Sequence, residues 1–125
     1  MTKKTAIKKI FLLEDEQALA SLYMSKLADA GFEVKLFDEV DKLIEASKSF
    51  KADVAFLDQS LHGAKKSGLD VIPSLKECNP KMQIVILSNY SEFQMEKAAK
   101  KAGADDYLLK INTSPNALVD YVKKL

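Results

Sequence analysis

The sequence predicts a doubly wound α/β domain, a parallel sheet covered by helices on both faces. Five short apolar runs alternate along the chain with five amphipathic stretches. Most of these runs are continuous rather than alternating, the signature of strands buried on both faces. At 125 residues, one domain is the expected organisation, large enough to bury roughly two-thirds of its unfolded surface.

Ile7 to Leu13 reads as a buried first strand. Ala18, Leu19, Leu22, Tyr23, Leu27 and Ala30 then recur at helical spacing, and Gly31 supplies a left-handed stop. Phe32 to Phe37 begins in strict alternation, which suits a strand nearer the sheet edge. Val40, Leu43, Ile44 and Ser47 mark the second helix, and Val54-Ala55-Phe56-Leu57 the third strand. A polar loop, Ser60 to Ser67, leads into a helix near Gly68 to Cys78. Pro73 lacks a backbone donor and is expected to bend or shorten that helix. Met82 to Leu87 is the fourth strand. Ser91 and Gln94 have the spacing of a capping box, opening a helix that closes at Gly103. Tyr107-Leu108-Leu109 is the last strand. Ser114 as cap and Pro115 at the first helical position start a final helix through Leu118, Tyr121, Val122 and Leu125.

Composition narrows the function. All 19 cationic residues are lysine, against 18 acidic ones, for a net charge of +1. Balanced charge and the absence of Arg argue against direct nucleic-acid binding, which needs clustered cations and bidentate forks. The apolar share of 47% and charged share of 30% fit an ordinary globular protein. Cys78 and His62 are the only residues of their kinds, so neither an internal disulfide nor a four-ligand zinc site can form. Cys78, late in a helix, is expected to be partly buried and inert. The run Ile10-Phe11-Leu12-Leu13 is too short for a signal core or a membrane span. A cytoplasmic protein without membrane insertion is expected.

In an open parallel sheet, ligands bind beyond the carboxyl ends of the strands. The first strand ends in Glu14-Asp15-Glu16, the third in Asp58, the fourth in Ser88-Asn89 and the fifth in Lys110. Carboxylates gathered at one point repel unless a hard cation joins them, and oxygen ligands with room for water suit Mg²⁺. A carboxylate beside such a cation can act as a nucleophile toward phosphorus. A hydroxyl and an ammonium group can then bind the phosphoryl oxygens.

These residues and their context resemble the receiver domain of two-component response regulators. The matching stretches are Ile10 to Glu16, Asp53 to Asp58, Ile84 to Ser88 and Gly103 to Lys110. The resemblance implies a flavodoxin-like sheet of order 2-1-3-4-5 occupying residues 1–125 as a stand-alone receiver. It implies Asp58 as phosphoacceptor, with Mg²⁺ held by Asp15 directly, by Glu14 through water, by Asp58 and by the backbone carbonyl of Ser60. Ser88 would be the switch hydroxyl, Lys110 its counter-charge and Tyr107 the switch aromatic. A sensor histidine kinase or histidine phosphotransfer protein would be the donor. A downstream protein would dock on the face of the fourth helix, fifth strand and fifth helix, which includes Met95, Lys97, Lys101, Asp106, Tyr107 and Tyr121. Self-phosphorylation and self-dephosphorylation would be its only reactions, so turnover as an enzyme is not expected.

Some positions depart from the family pattern. Ile111 stands where a proline with a cis bond is usual, and a trans bond with a different entry into the last helix is expected. Asn89 replaces a smaller residue and is expected to narrow access to the phosphoryl group or hydrogen-bond it. The Asp58–Gly68 loop is about two residues longer than usual, and His62 in it stands where proline is common. Glu16 is read as a spectator at a helix N-terminus, and His62 receives no role. Two other functions compete with the phosphoacceptor. One is a pseudo-receiver, an interaction module without phosphorylation. The other is a small phosphohydrolase, against which stands Ser60 where such enzymes place a second Asp.

Overall fold

The computed structural model describes residues 8–59 and 68–125. Its strands are Lys9–Leu13 (β1), Glu33–Phe37 (β2), Val54–Asp58 (β3), Gln83–Ser88 (β4) and Asp106–Leu109 (β5). The helices between and after them are Gln17–Asp29 (α1), Val40–Ser47 (α2), Gly68–Cys78 (α3), Phe93–Ala102 (α4) and Pro115–Lys123 (α5). A single 3-10 turn, Lys110–Asn112, joins β5 to α5. The strands pair in the order β2-β1-β3-β4-β5, every pair parallel, as the resemblance implies.

Alternate residues of the central strands feed two separate cores. Phe11, Leu13, Ala55, Leu57, Ile84 and Ile86 pack against α2, α3 and α4 through Leu43, Val71, Ile72, Leu75 and Ala99. Ile10, Leu12, Val54, Phe56, Val85 and Leu87 face α1 and α5 through Tyr23, Leu27, Leu118 and Val122. Burial on both sides explains the continuous apolar runs. At the sheet edge, β2 exposes Glu33, Lys35 and Leu36 while Val34 and Phe37 stay half-buried, in line with its alternating sequence.

Helix ends follow the sequence in some places and not in others. Gly103 caps α4 at φ 115°, and Ser114 Oγ accepts a hydrogen bond from Ala117 N at 3.1 Å to cap α5. The Ser91–Gln94 capping box does not form. Glu92 occupies the cap position of α4 without a side-chain bond, and its carbonyl accepts from Met95 N and Glu96 N. The expected shortening at Pro73 does not occur either, since α3 continues unbroken to Cys78. Burial of Val71, Ile72 and Leu75 offsets the one helical hydrogen bond that proline removes. Cys78, expected to be partly buried, is exposed because it is the last residue of α3, although its Sγ still lies 3.5 Å from the Oγ of buried Ser47. Ile7, placed at the start of the first strand, lies outside the described residues.

Candidate functional site

The carboxyl ends of β1, β3, β4 and β5 deliver the expected side chains to one edge of the sheet. Glu14 extends the ladder beyond β1, its N–H donating to the Phe37 carbonyl at 2.9 Å. Asp58 and Ser88 are the last residues of β3 and β4, opposite Leu87 and Leu109 respectively. Lys110 opens the turn that follows β5. Parallel strands in register bring these ends level, so residues far apart in sequence meet.

Glu14 and Asp58 are only 2% and 3% exposed, and buried carboxylates require a compensating charge. Lys110 supplies it, with Nζ 2.7 Å from Glu14 Oε1 and 3.1 Å from Asp58 Oδ2. Burial works to lower the pKa of Lys110. Its contact with Glu14 and the charge of Asp58 outweigh that, and the ammonium is held above the usual lysine range. The second Glu14 oxygen accepts from Glu16 N at 3.1 Å. Glu16 thus serves the site through its backbone, while its side chain is exposed.

Carboxylate oxygens of Glu14, Asp15 and Asp58 lie within 4.8 Å of one another. One ammonium leaves this cluster negative, and half-exposed Asp15 gives it an open side. A hard cation that keeps several waters is matched by such a donor set, so the residues fit Mg²⁺. Ser60, whose carbonyl was expected to join them, lies outside the described residues, as do His62 and most of the Asp58–Gly68 loop.

Ser88 and Tyr107 meet at a residue the sequence reading passed over. Ser88 is buried, and its Oγ accepts from Tyr90 N at 3.0 Å. The hydroxyl of half-buried Tyr107 donates to the Tyr90 carbonyl at 2.7 Å. The backbone of Tyr90 therefore ties both expected switch residues together. Asn89, between Ser88 and Tyr90, is exposed. Gly68 was also missed as a site residue: a Cβ there would overlap the Asp58 carbonyl oxygen. Backbone roles of this kind leave no pattern in side-chain chemistry. No peptide bond among the described residues is cis, so Lys110–Ile111 is trans as expected and enters α5 through the 3-10 turn.

Residues 10–123 match the response regulator receiver domain. The chain belongs to this family. It is 31% identical to the cell cycle transcriptional regulator CtrA of Caulobacter vibrioides over 102 residues, 82% of this chain and 43% of CtrA. The chain spans less than half the length of the curated relatives it matches. A CheY-like receiver domain protein from Methanospirillum hungatei superposes with a TM-score of 0.85 at 20% identity, covering 95% of this chain and 93% of that one. The BeF3-activated receiver domain of DrrB, a Thermotoga maritima protein, gives 0.83 at 25% identity, covering 95% and 97%. Receiver domains bind Mg²⁺ through an acidic pocket and interact with histidine kinases or phosphotransfer proteins. In this receiver the acidic cluster is Glu14, Asp15 and Asp58.

Proposed function

We propose that this receiver accepts a phosphoryl group from a phosphohistidine donor onto Asp58 in a Mg²⁺-dependent reaction, then loses it to water. The observation that carries this reading is the buried ion triad, in which one lysine bridges Glu14 and Asp58 at 2.7 and 3.1 Å. An Asp58 oxygen attacks phosphorus while the bond from phosphorus to the donor's imidazole nitrogen breaks, and that nitrogen takes the electron pair and a proton. In the reverse sense of the signal, a water oxygen attacks phosphorus and the Asp58 carboxylate leaves with the electron pair of the broken bond. One of the water's protons stays on inorganic phosphate and the other is shared between phosphate and solvent. Asp58, Asp15 and Glu14 would hold the metal, with Ser60 as the fourth protein ligand by resemblance. Bound Mg²⁺ supplies neutralisation of the phosphoryl charge. Lys110, already beside Asp58, neutralises a phosphoryl oxygen on its own side. Because Ser88 Oγ accepts from Tyr90 N, its O–H remains to donate to a second oxygen.

The chain modifies only itself, so we read it as a signalling protein rather than a turnover enzyme. The buried, already paired triad weighs against the pseudo-receiver, which needs no such costly arrangement. We place its output on the face of α4, β5 and α5, where Tyr107 reaches from the switch and Tyr121 donates to Asp106 at 2.9 Å. Near-zero net charge supports a protein partner over direct nucleic-acid contact. Among the described residues no helix is long and apolar enough to cross a membrane, and a cytoplasmic setting suits the proposed donor. Incubation with Mg²⁺ and acetyl phosphate, followed by intact-mass measurement, tests the reaction. One added phosphoryl group is expected in wild type and none in Asp58→Asn. No gain in wild type, or an equal gain in the variant, refutes the assignment.

A further inference from the structure

We propose that Tyr23 is a positioning residue for Lys110, its phenol in α1 holding the turn that aims the ammonium group at Glu14 and Asp58. The consequence for phosphoryl transfer rests on the function proposed above, whereas the contact itself does not.

Lys110 stands at the start of the 3-10 turn, its side chain only 8% exposed. The rest of the turn has little to anchor it, for Ile111 is 88% exposed and Asn112 is exposed as well. The next residue, Thr113, is buried and grips the backbone on both sides of the peptide that carries Lys110. Its N–H donates to the Lys110 carbonyl at 3.1 Å and its Oγ1 to the Leu109 carbonyl at 2.7 Å. The Thr113 carbonyl in turn accepts from Tyr23 Oη at 2.8 Å, across 90 residues of sequence.

Tyr23 is fully buried and packed in the core that α1 shares with α5, so its phenol is a fixed point. Burial pushes the phenol's pKa up, and the Lys110 charge pulls against it. The hydroxyl therefore stays a donor at neutral pH, within electrostatic reach of the ammonium group. Since α1 begins just after Glu14-Asp15-Glu16, one helix connects the acidic wall of the site with the turn bearing its cation.

A buried phenol needs some acceptor, and packing alone would use the Thr113 carbonyl without consequence for Lys110. The two accounts separate by experiment. Tyr23→Phe keeps the ring and removes the hydroxyl, and the Lys110 side-chain Cε and Nζ signals are followed by NMR in the metal-free protein. Positioning predicts that these signals move toward those of exposed lysines while other lysines stay put. Titration with beryllofluoride and Mg²⁺ should then show affinity reduced about three- to tenfold, the scale of one hydrogen bond. In a Lys110→Ala background, Tyr23→Phe should reduce it no further. Unmoved Lys110 signals, or an equal loss in both backgrounds, would overturn the proposal. Moved signals in a protein whose wild type ignores beryllofluoride would leave the Tyr23 contact standing and remove the phosphoacceptor reading instead. Should Tyr23→Phe not fold, Thr113→Val cuts the bond to Leu109 and is expected to displace Lys110 in the same direction. Unchanged Lys110 signals there refute the proposal equally.

Discussion

Single side chains in this receiver act less through their own reactivity than through what surrounds them. Asp58 is one of 18 acidic residues, and among the described ones burial beside Lys110 sets it apart together with Glu14. Gly68 shows how closely that setting is packed. Its φ is ordinary, yet any β-carbon would collide with the Asp58 carbonyl, a backbone atom that cannot step aside. Gly68→Ala should therefore cost about 1–3 kcal/mol as an overpacking change, read by urea denaturation, and should also slow phosphorylation by acetyl phosphate. A variant as stable as wild type would show that the β3–α3 approach yields without strain.

At the scale of elements, the two serines proposed as caps make a controlled pair. Ser114 accepts from Ala117 N and opens α5, so Ser114→Ala should destabilise the protein by about 1 kcal/mol. Ser91 sits one residue before the cap of α4 and makes no capping bond. Ser91→Ala should stay within about 0.5 kcal/mol of wild type. Thermal denaturation of both variants checks the contrast, and equal losses would contradict it. The two motifs look alike in sequence. What separates them is Pro115, whose fixed φ sets the first helical position of α5, while nothing comparable fixes the start of α4.

For the whole molecule, alkaline pH should lower stability. The Lys110 and Tyr23 pKa values are raised above 10.5 and 10.0, and burial, reinforced by Asp106, pushes Tyr121 up to about 12. Each group holds its proton more tightly folded than unfolded. Its contribution is complete below the unfolded value and disappears as pH rises through the folded one. Melting temperature should accordingly fall between about pH 10 and 12, and Tyr121→Phe should flatten part of that fall. An unchanged pH profile in the variant would exclude Tyr121 as a contributor. Continuous apolar runs revealed a two-sided sheet, and polar residues at their ends revealed Glu14, Asp58, Ser88 and Lys110. Tyr90, Tyr23, Thr113 and Gly68 stayed hidden because they act through backbone groups or through contacts up to 90 residues away, which no local spacing encodes.

One feature of α4 bears on how a signal would travel. Of its ten residues only Ala99 is fully buried, and half-buried Ala102 is the other α4 side chain packed against that core, so this helix rests on the sheet mainly through small side chains. It follows directly on the Tyr90 segment that Ser88 and Tyr107 share. Little apolar surface must be exposed for α4 to shift or fray, and a small rearrangement at Tyr90 meets little mechanical resistance there. If the output face is the one proposed, α4 would be its soft element beside a stiff site.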